Sequence, residues 1–184
     1  MHVTDRKIIQ SLRKNARQSI TDLAKDTKVS RPTVIKRLNR MIKDKTINID
    51  AGINLTKLGF QVGCIGIEVK STNEKSKMQK ILEKCPRVIM ILSPYDKVTF
   101  SVYLFGEDMD TLRSTIYSFK EIPNTDIVYV NYSDAPLYPK SFPINIYLER
   151  GAVTPCGQKC KECASYQQNL CIGCPAVEEY KGPL

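Results

Sequence analysis

The sequence predicts an α+β protein in three consecutive parts: a basic helical unit, a unit of four strands and two helices, and a short cysteine-rich tail. Three observations predict this division. Positive charge is concentrated near the N-terminus, the spacing of apolar residues changes near Phe60, and five of the seven cysteines fall between Cys156 and Cys174. We place the three parts at residues 1–57, 58–136 and 137–184.

The N-terminal part contains three segments in which apolar residues recur with helical spacing. The first begins at Thr4, its predicted N-cap, and the second begins at Ser19, which forms a capping-box pattern with Asp22. Ser30 is the predicted N-cap of a third segment with Pro32 in its first turn, where a missing amide hydrogen is harmless. Because the turn before this segment is very short, the pattern indicates a helix-turn-helix.

Charge is distributed very unevenly along the chain. Residues 1–59 contain 14 Lys and Arg but 5 Asp and Glu, whereas the remainder contains 14 of each sign, so this segment accounts for the whole net charge of +9. A basic excess confined to one segment is typical of a module that binds a polyanion, whereas a merely solvated basic surface more often extends over the whole chain. Together with the helix-turn-helix, the charge predicts double-stranded DNA as a partner.

The third helix is the predicted DNA-reading element, because the second helix of a helix-turn-helix pair enters the major groove. Its inner side is marked by Val34, Leu38, Met41 and Ile42. Arginine can donate two hydrogen bonds to guanine and lysine can pair with phosphate, so the outward residues suit DNA. We expect Arg37 to contribute to packing as well. The predicted DNA-binding residues are Ser30, Arg31, Thr33, Lys36, Arg37 and Arg40.

From Phe60 to Tyr132 the predicted elements follow the order βαββαβ. This order is that of a ferredoxin-like unit, in which two helices cover one face of a four-stranded antiparallel sheet. We expect Phe100 and its neighbours to lie on the uncovered face, where a monomer cannot hide them. The sequence therefore predicts a homodimer or a higher oligomer. A further short strand is predicted at residues 144–148.

The pattern D-R-x-I-x-x-x-L-x-x-N-A-R in the first helix and V-S-x-x-T-V-x-x-R-L around the third resemble the winged helix-turn-helix of Lrp/AsnC-family regulators. The resemblance extends to about residue 135, into a unit similar to that family's ligand-binding and oligomerisation domain. It implies dimers that pair through their sheets, higher assemblies of dimers, and often a small amino-acid effector. It also implies effector-binding residues at Tyr95 and Asp96, although Pro94 stands where the family usually has a glycine.

The tail carries a second motif, outside the usual length of that family. Two C-x-x-C pairs can each bring two thiolates to one ion, and four thiolates form a closed tetrahedral zinc site. Four of the cysteines suit Zn2+ and leave Cys156 spare, with Gly157 and Gly173 allowing tight turns. The same thiols could instead hold an iron–sulfur cluster of the 4Fe-4S type or act as metal-free redox thiols. The predicted metal ligands are drawn from Cys156, Cys160, Cys163, Cys171 and Cys174.

Composition narrows the class of protein. We expect a cytoplasmic location without a membrane partner, because no apolar run is long enough to cross a bilayer and the thiols suit a reducing compartment. Catalysis is not expected, since the single histidine is His2. Siroheme decarboxylases look like the same architecture and provide one alternative, and a metal or redox protein without operator specificity is another. The basic third helix favours a transcriptional regulator, with the cysteine cluster as a sensor of metal or redox state.

Overall fold

A computed structural model describes residues 1–95 and 98–184 and divides the chain into two compact units, Met1–Asp50 and Ala51–Leu184. The predicted α+β class, the three N-terminal helices and the βαββαβ order are confirmed. The division lies at residue 50 rather than at residue 57 because the next residues form a strand, β1 (Ile53–Asn54), whose partner is β6 (Ser141–Phe142) in the second unit.

The first unit is a three-helix bundle. Its helices are α1 (Val3–Lys14), α2 (Ile20–Thr27) and α3 (Arg31–Lys43). They enclose a core in which Ile8 and Val34 are completely buried and Leu23 and Met41 almost so. One face of α3 is therefore fixed against α1 and α2, and its opposite face remains exposed. The assignment of Ile42 to the buried face was wrong, because that face ends at Met41 and Ile42 is 44% exposed.

Caps set where these helices begin. The side chains of Ser19 and Ser30 accept hydrogen bonds from the amides of Asp22 and Thr33, so both predicted N-caps are confirmed. The first helix differs from expectation, because it begins at Val3 and its N-cap is His2, whose Nδ1 accepts from the Thr4 amide at 3.1 Å. Imidazole can replace the usual hydroxyl or carboxylate when its acceptor nitrogen faces the helix.

The second unit contains the predicted βαββαβ sequence between the two short strands β1 and β6. The sheet has the antiparallel order β3-β4-β2-β5, which is the ferredoxin-like arrangement. The elements are β2 (Gln61–Val69), α4 (Thr72–Lys84), β3 (Val88–Leu92), β4 (Phe100–Gly106), α5 (Met109–Lys120) and β5 (Thr125–Ser133).

The two faces of this sheet are covered differently. Residues of β2 and β4 pack with Leu82 and Leu112 of the helices, and Phe100 belongs to this core. The expectation that Phe100 lies on the uncovered face was wrong, because alternation defines two faces without telling which one the helices cover. On the other face, Phe60 stacks on Phe105 with ring centroids 5.3 Å apart, so this end of the sheet is also covered.

The predicted strand at residues 144–148 is absent from this fully described segment. Its side chains, rather than a backbone ladder, attach it to the C-terminus of α4. Asn145 Nδ2 donates to the carbonyl of Glu83 at 2.9 Å, and the Tyr147 hydroxyl donates to the carbonyl of Lys84 at 2.6 Å. These carbonyls have no partner within the helix, so the segment serves as a C-terminal cap.

Beyond this segment, the tail contains a 3-10 turn (Cys160–Glu162) and the single-turn helix α6 (Ala164–Gln167). An isolated bridge pairs Gly151 with Val177 and closes the tail on itself. Gly157 and Gly173 have φ values of +86° and +89°, as expected for the predicted tight turns.

Candidate DNA-binding surface and cysteine-lined cavity

The predicted DNA-binding residues are distributed between the exposed side of α3 and its flanks. Arg31 and Lys36 are exposed and make no ion pair with the described residues. Ser30 and Thr33 lie at the start of the helix, with their hydroxyl oxygens 2.8 Å apart. Both hydroxyls therefore already serve the cap, while the two long cationic side chains remain available to a partner.

Arg37 and Arg40 are bonded to one carboxylate on α1. Arg37 Nη1 lies 3.0 Å from Asp5 Oδ1 and Arg40 Nη2 lies 2.7 Å from Asp5 Oδ2. Asp5 is buried, with 3% of its side chain exposed, whereas Arg37 and Arg40 retain 24% and 57%. The packing role expected for Arg37 is thus present, and the carboxylate orients both guanidinium groups along α3.

The ionisation of Asp5 is coupled to the stability of the helical unit. Burial alone would raise the pKa of Asp5, but hydrogen bonds from Arg37 and the positive charges of Arg40 and Arg37 hold it below its ordinary value. A carboxyl with a depressed pKa stabilises the fold above its unfolded-state pKa of about 3.9 and loses that contribution as pH falls through the folded-state pKa.

We predict that Asp5→Asn lowers the free energy of unfolding at pH 7 by about 1–3 kcal/mol, because two charge-assisted hydrogen bonds are lost while Arg40 can still turn to water. Chemical denaturation followed by helical circular dichroism measures the change. As pH falls below about 4, the difference between the two proteins should shrink. A difference that grows in acid would exclude the proposed ionic role of Asp5.

Three further residues on α3 belong to the exposed surface and were not identified from the sequence. Asn39 and Lys43 continue the line of Lys36 at helical spacing, and both are exposed. Ile35 is 43% exposed and adds an apolar side chain to this surface. Asparagine can pair with adenine, and an aliphatic side chain can contact the thymine methyl group. We call Arg31, Ile35, Lys36, Asn39 and Lys43 the α3 surface.

The predicted effector loop lies between β3 and β4. Tyr95 projects into solvent beside an open cavity of about 460 Å³, whose wall includes Lys75 and Thr99. Asp96, the second predicted effector residue, lies outside the described residues. The two effector-binding residues therefore remain a prediction.

The five cysteines of the tail line a single cavity of about 380 Å³ together with Cys85, which follows α4. Cys85 is buried, with 8% exposure, and its position on this wall was not predicted from the sequence. The opposite wall includes Ser114 and Ser118 of α5. Six thiols from two distant parts of the chain therefore enclose one space.

Arg87 anchors the tail beside this cavity. Its guanidinium is almost fully buried, pairs with Glu107 at 2.8 Å and donates to the carbonyl of Gly173 in the tail. The hydroxyl of Tyr180 donates to the other Glu107 oxygen at 2.6 Å. One buried ion pair thus binds both halves of the tail to the ferredoxin-like unit.

Burial is the main influence on the ionisation of two of these thiols. It raises the pKa of Cys85 to about 11 and that of Cys174 to about 12, although nearby backbone amides act in the opposite direction. These thiols are therefore protonated at neutral pH unless a bound cation replaces the proton.

The arrangement differs from a closed zinc site. In the described residues, no three His, Cys, Asp or Glu side chains are placed to hold a single metal ion. A tetrahedral zinc site requires four thiolate sulfurs within about 2.3 Å of one point. Here the thiols surround a space instead of meeting at a point.

Comparison with known proteins gives relatives for the DNA-binding unit and for the longer chain. Residues 1–47 match a family model described as winged helix-turn-helix DNA-binding. Regulatory protein AsnC of Haemophilus influenzae is 31% identical over 134 residues, which represent 66% of this chain and 85% of that protein. An uncharacterized HTH-type transcriptional regulator of Pyrococcus horikoshii is 25% identical over 127 residues, with the same two coverages.

Solved structures share the fold at lower identity. AsnC of E. coli matches with a TM-score of 0.62 and 24% identity over 76% of this chain and 94% of its own. The leucine response regulatory protein of Mycobacterium tuberculosis matches with a TM-score of 0.66 and 16% identity over 79% of this chain and 100% of its own. The relatives are named as transcriptional regulators and not as enzymes, in agreement with the sequence prediction. No helix in the described ranges is long and apolar enough to cross a membrane.

Proposed function

The chain belongs to the Lrp/AsnC family of DNA-binding transcriptional regulators, and on this premise we propose that it recognises operator DNA through the α3 surface and receives its signal through the cysteine-lined cavity. The proposal of operator recognition rests on the exposed cations of α3. They lie on the helix that a helix-turn-helix inserts into the major groove, and Arg31, Lys36 and Lys43 make no ion pair with the described residues.

The arginines paired with Asp5 have a different role in this proposal. Arg40 keeps more than half of its side chain exposed and can contact phosphate without leaving Asp5, since a guanidinium group has five N–H donors and only one of its nitrogens is paired with Asp5. Arg37 is more deeply buried and serves to position the helix. Base recognition is therefore assigned to the α3 surface and backbone contact to its flank.

A fluorescence-anisotropy titration of labelled duplex DNA at several salt concentrations tests this function. We predict a linear fall of log affinity with log salt, reaching about 10³–10⁵-fold between about 50 and about 200 mM salt for six to ten phosphate contacts, because condensed counterions are released. A selected operator should keep an advantage over random duplex at every salt concentration. Absence of duplex binding at the lowest salt would refute the proposal.

The uncovered part of the sheet is proposed to pair with a second copy of the chain. Met90 and Leu92 of β3 are 44% and 46% exposed. Tyr129 of β5 is 37% exposed, and its hydroxyl oxygen lies 2.9 Å from the hydroxyl oxygen of Ser101. A dimer would bury these side chains and present two α3 helices to half-sites about 34 Å apart, with association of dimers as a further step. Light scattering at micromolar concentration should give twice the chain mass, and a monomer would exclude this assembly.

We propose that the signal received by the regulator is a metal or cluster bound by the tail thiols. Cysteine thiolates bind both Zn2+ and iron–sulfur clusters. Thiols are also oxidised reversibly, so the same residues can respond to redox state. A small-molecule effector at the loop of Tyr95 is a second possible input, supported by the cavity beside it. Operator affinity, measured for metal-loaded and for chelator-treated protein at one salt concentration, tests whether a bound metal or cluster is the signal. Equal affinities would exclude it as the signal.

A further inference from the structure

The cavity at the junction of tail and sheet has features that a single-ion site does not need. It is lined by six cysteines, which is enough for either a tetrahedral ion or a cluster, so its size and its walls distinguish the two. Its volume of about 380 Å³ exceeds the space of one ion held by sulfur. Part of its wall comes from the ferredoxin-like unit, through residues that include Cys85, Arg87 and Ser118. A ligand larger than an ion, bounded by both parts of the chain, would fill such a space.

We propose that this cavity encloses an iron–sulfur cluster of the 4Fe-4S type, with four of the six cysteines as ligands and the wall of α5 and the Arg87 loop completing the site. This inference rests on the proposed role of the tail as the input and specifies its cofactor. Each ligating thiol forms one sulfur–iron bond and releases its proton to solvent, so assembly of the 2+ core from four thiols, two ferrous ions, two ferric ions and four sulfides replaces protons by iron without any net oxidation or reduction.

The surroundings of the thiols suit a cluster. Hydrogen-bond donors beside cysteine sulfur stabilise the negative charge of ligated sulfur. The Thr154 hydroxyl lies 3.1 Å from the Cys156 sulfur, and the Ser114 hydroxyl on the cavity wall offers a further donor. The guanidinium of Arg87 is a buried cation on the same wall and is hydrogen-bonded to Gly173, the residue between two of the cysteines.

Cluster binding would act on the tail as a whole. The turn that carries Cys171 and Cys174 is bonded to Arg87, while Cys160 and Cys163 belong to the 3-10 turn and the start of α6. A cofactor that bonds both turns would fix them against α5 and β3. Loss of the cofactor would leave Arg87 and Tyr180 as the main polar anchors of the tail.

The test uses the full chain, purified without oxygen and then supplied, still without oxygen, with equal amounts of ferrous and ferric iron and with sulfide. We expect about four iron and four sulfide per chain and a visible absorption band that dithionite bleaches. A Cys160→Ala, Cys174→Ala variant should lose the band, whereas Cys64→Ala, which alters a cysteine of the sheet outside this cavity, should keep it. One zinc per chain without sulfide or colour would overturn the proposal.

A second pair of variants tests the wall supplied by α5. Ser118→Phe fills the cavity from a half-buried helical position without changing a thiol, and it should abolish incorporation of iron and sulfide. Ser118→Ala should incorporate both normally. Equal iron content in the two variants, with circular dichroism showing both folded, would show that the tail binds its cofactor alone and would refute the composite site.

DNA affinity, measured in parallel, separates this inference from the proposed function. Duplex binding by a protein that never acquires iron and sulfide would refute the cluster and leave DNA recognition intact. A loaded protein that fails to bind duplex DNA would support the cluster and contradict the regulator function. The two proposals therefore fail in distinguishable ways.

Discussion

Replacing Arg31, Lys36 and Lys43 together by Ala should reduce affinity for operator DNA by about 100-fold or more at physiological salt, because each lost contact is worth about 1 kcal/mol or more. These three cations are exposed and have no ion-pair partner in the described part of the chain, so their removal costs little stability. Alanine also favours the helix. Anisotropy titration of duplex DNA gives the ratio of dissociation constants directly.

The matched control removes the same charge from elsewhere. Lys80→Ala, Lys84→Ala, Lys120→Ala changes three exposed lysines on α4 and α5 and should bind DNA within a few fold of the parent. Arg37 and Arg40 are unsuitable for this test, because their removal would leave Asp5 buried without a partner and would confuse folding with binding. An equal loss of affinity in both triple variants would mean that binding follows net charge and not the α3 surface.

Removal of Arg87 should have the largest effect on folding. Arg87→Met leaves Glu107 buried without its cation and the Gly173 carbonyl without its donor, so we expect the free energy of unfolding of the second unit to fall by about 3–5 kcal/mol. The tail should become accessible to protease at the same time, since Arg87 connects it to β3. Urea denaturation and limited proteolysis measure the two effects.

A second variant distinguishes loss of the ion pair from loss of volume. Arg87→Met combined with Glu107→Leu leaves no unpaired buried charge and should recover part of the lost stability. The Tyr180 hydroxyl would still lack its acceptor, so recovery should be incomplete. If the double variant is less stable than Arg87→Met, the pair does not act as a buried charge network and the anchoring role of Arg87 is wrong.

The sequence predicted the elements of this fold well because periodicity and capping are local. Ser19 and Ser30 cap the helices as expected, and the βαββαβ order follows from changes of apolar spacing. Local patterns do not specify which sheet face is covered, so Phe100 was assigned to the wrong face. The segment at 144–148 was predicted as a strand because its extended apolar pattern does not reveal that Tyr147 caps α4.

The functional surfaces were only partly accessible from the sequence. The basic third helix and the cysteine spacing are visible in the sequence itself. The pairing of Arg37 and Arg40 with Asp5 depends instead on how α1 crosses α3. Arg87 stands between a helix and a strand and resembles a linker residue, and its partner Gly173 lies 86 positions later. Contacts at such separation depend on the tertiary fold and not on any local signal.

The most direct test of operator recognition by α3 is methylation interference on a bound operator. Guanine N7 lies in the major groove, so its methylation should block binding within two half-sites about 34 Å apart. The variant in which Arg31, Lys36 and Lys43 are replaced by Ala should lose this pattern in whatever binding it retains. Binding that is unaffected by N7 methylation but blocked when the minor groove is occupied would contradict recognition of the major groove by α3.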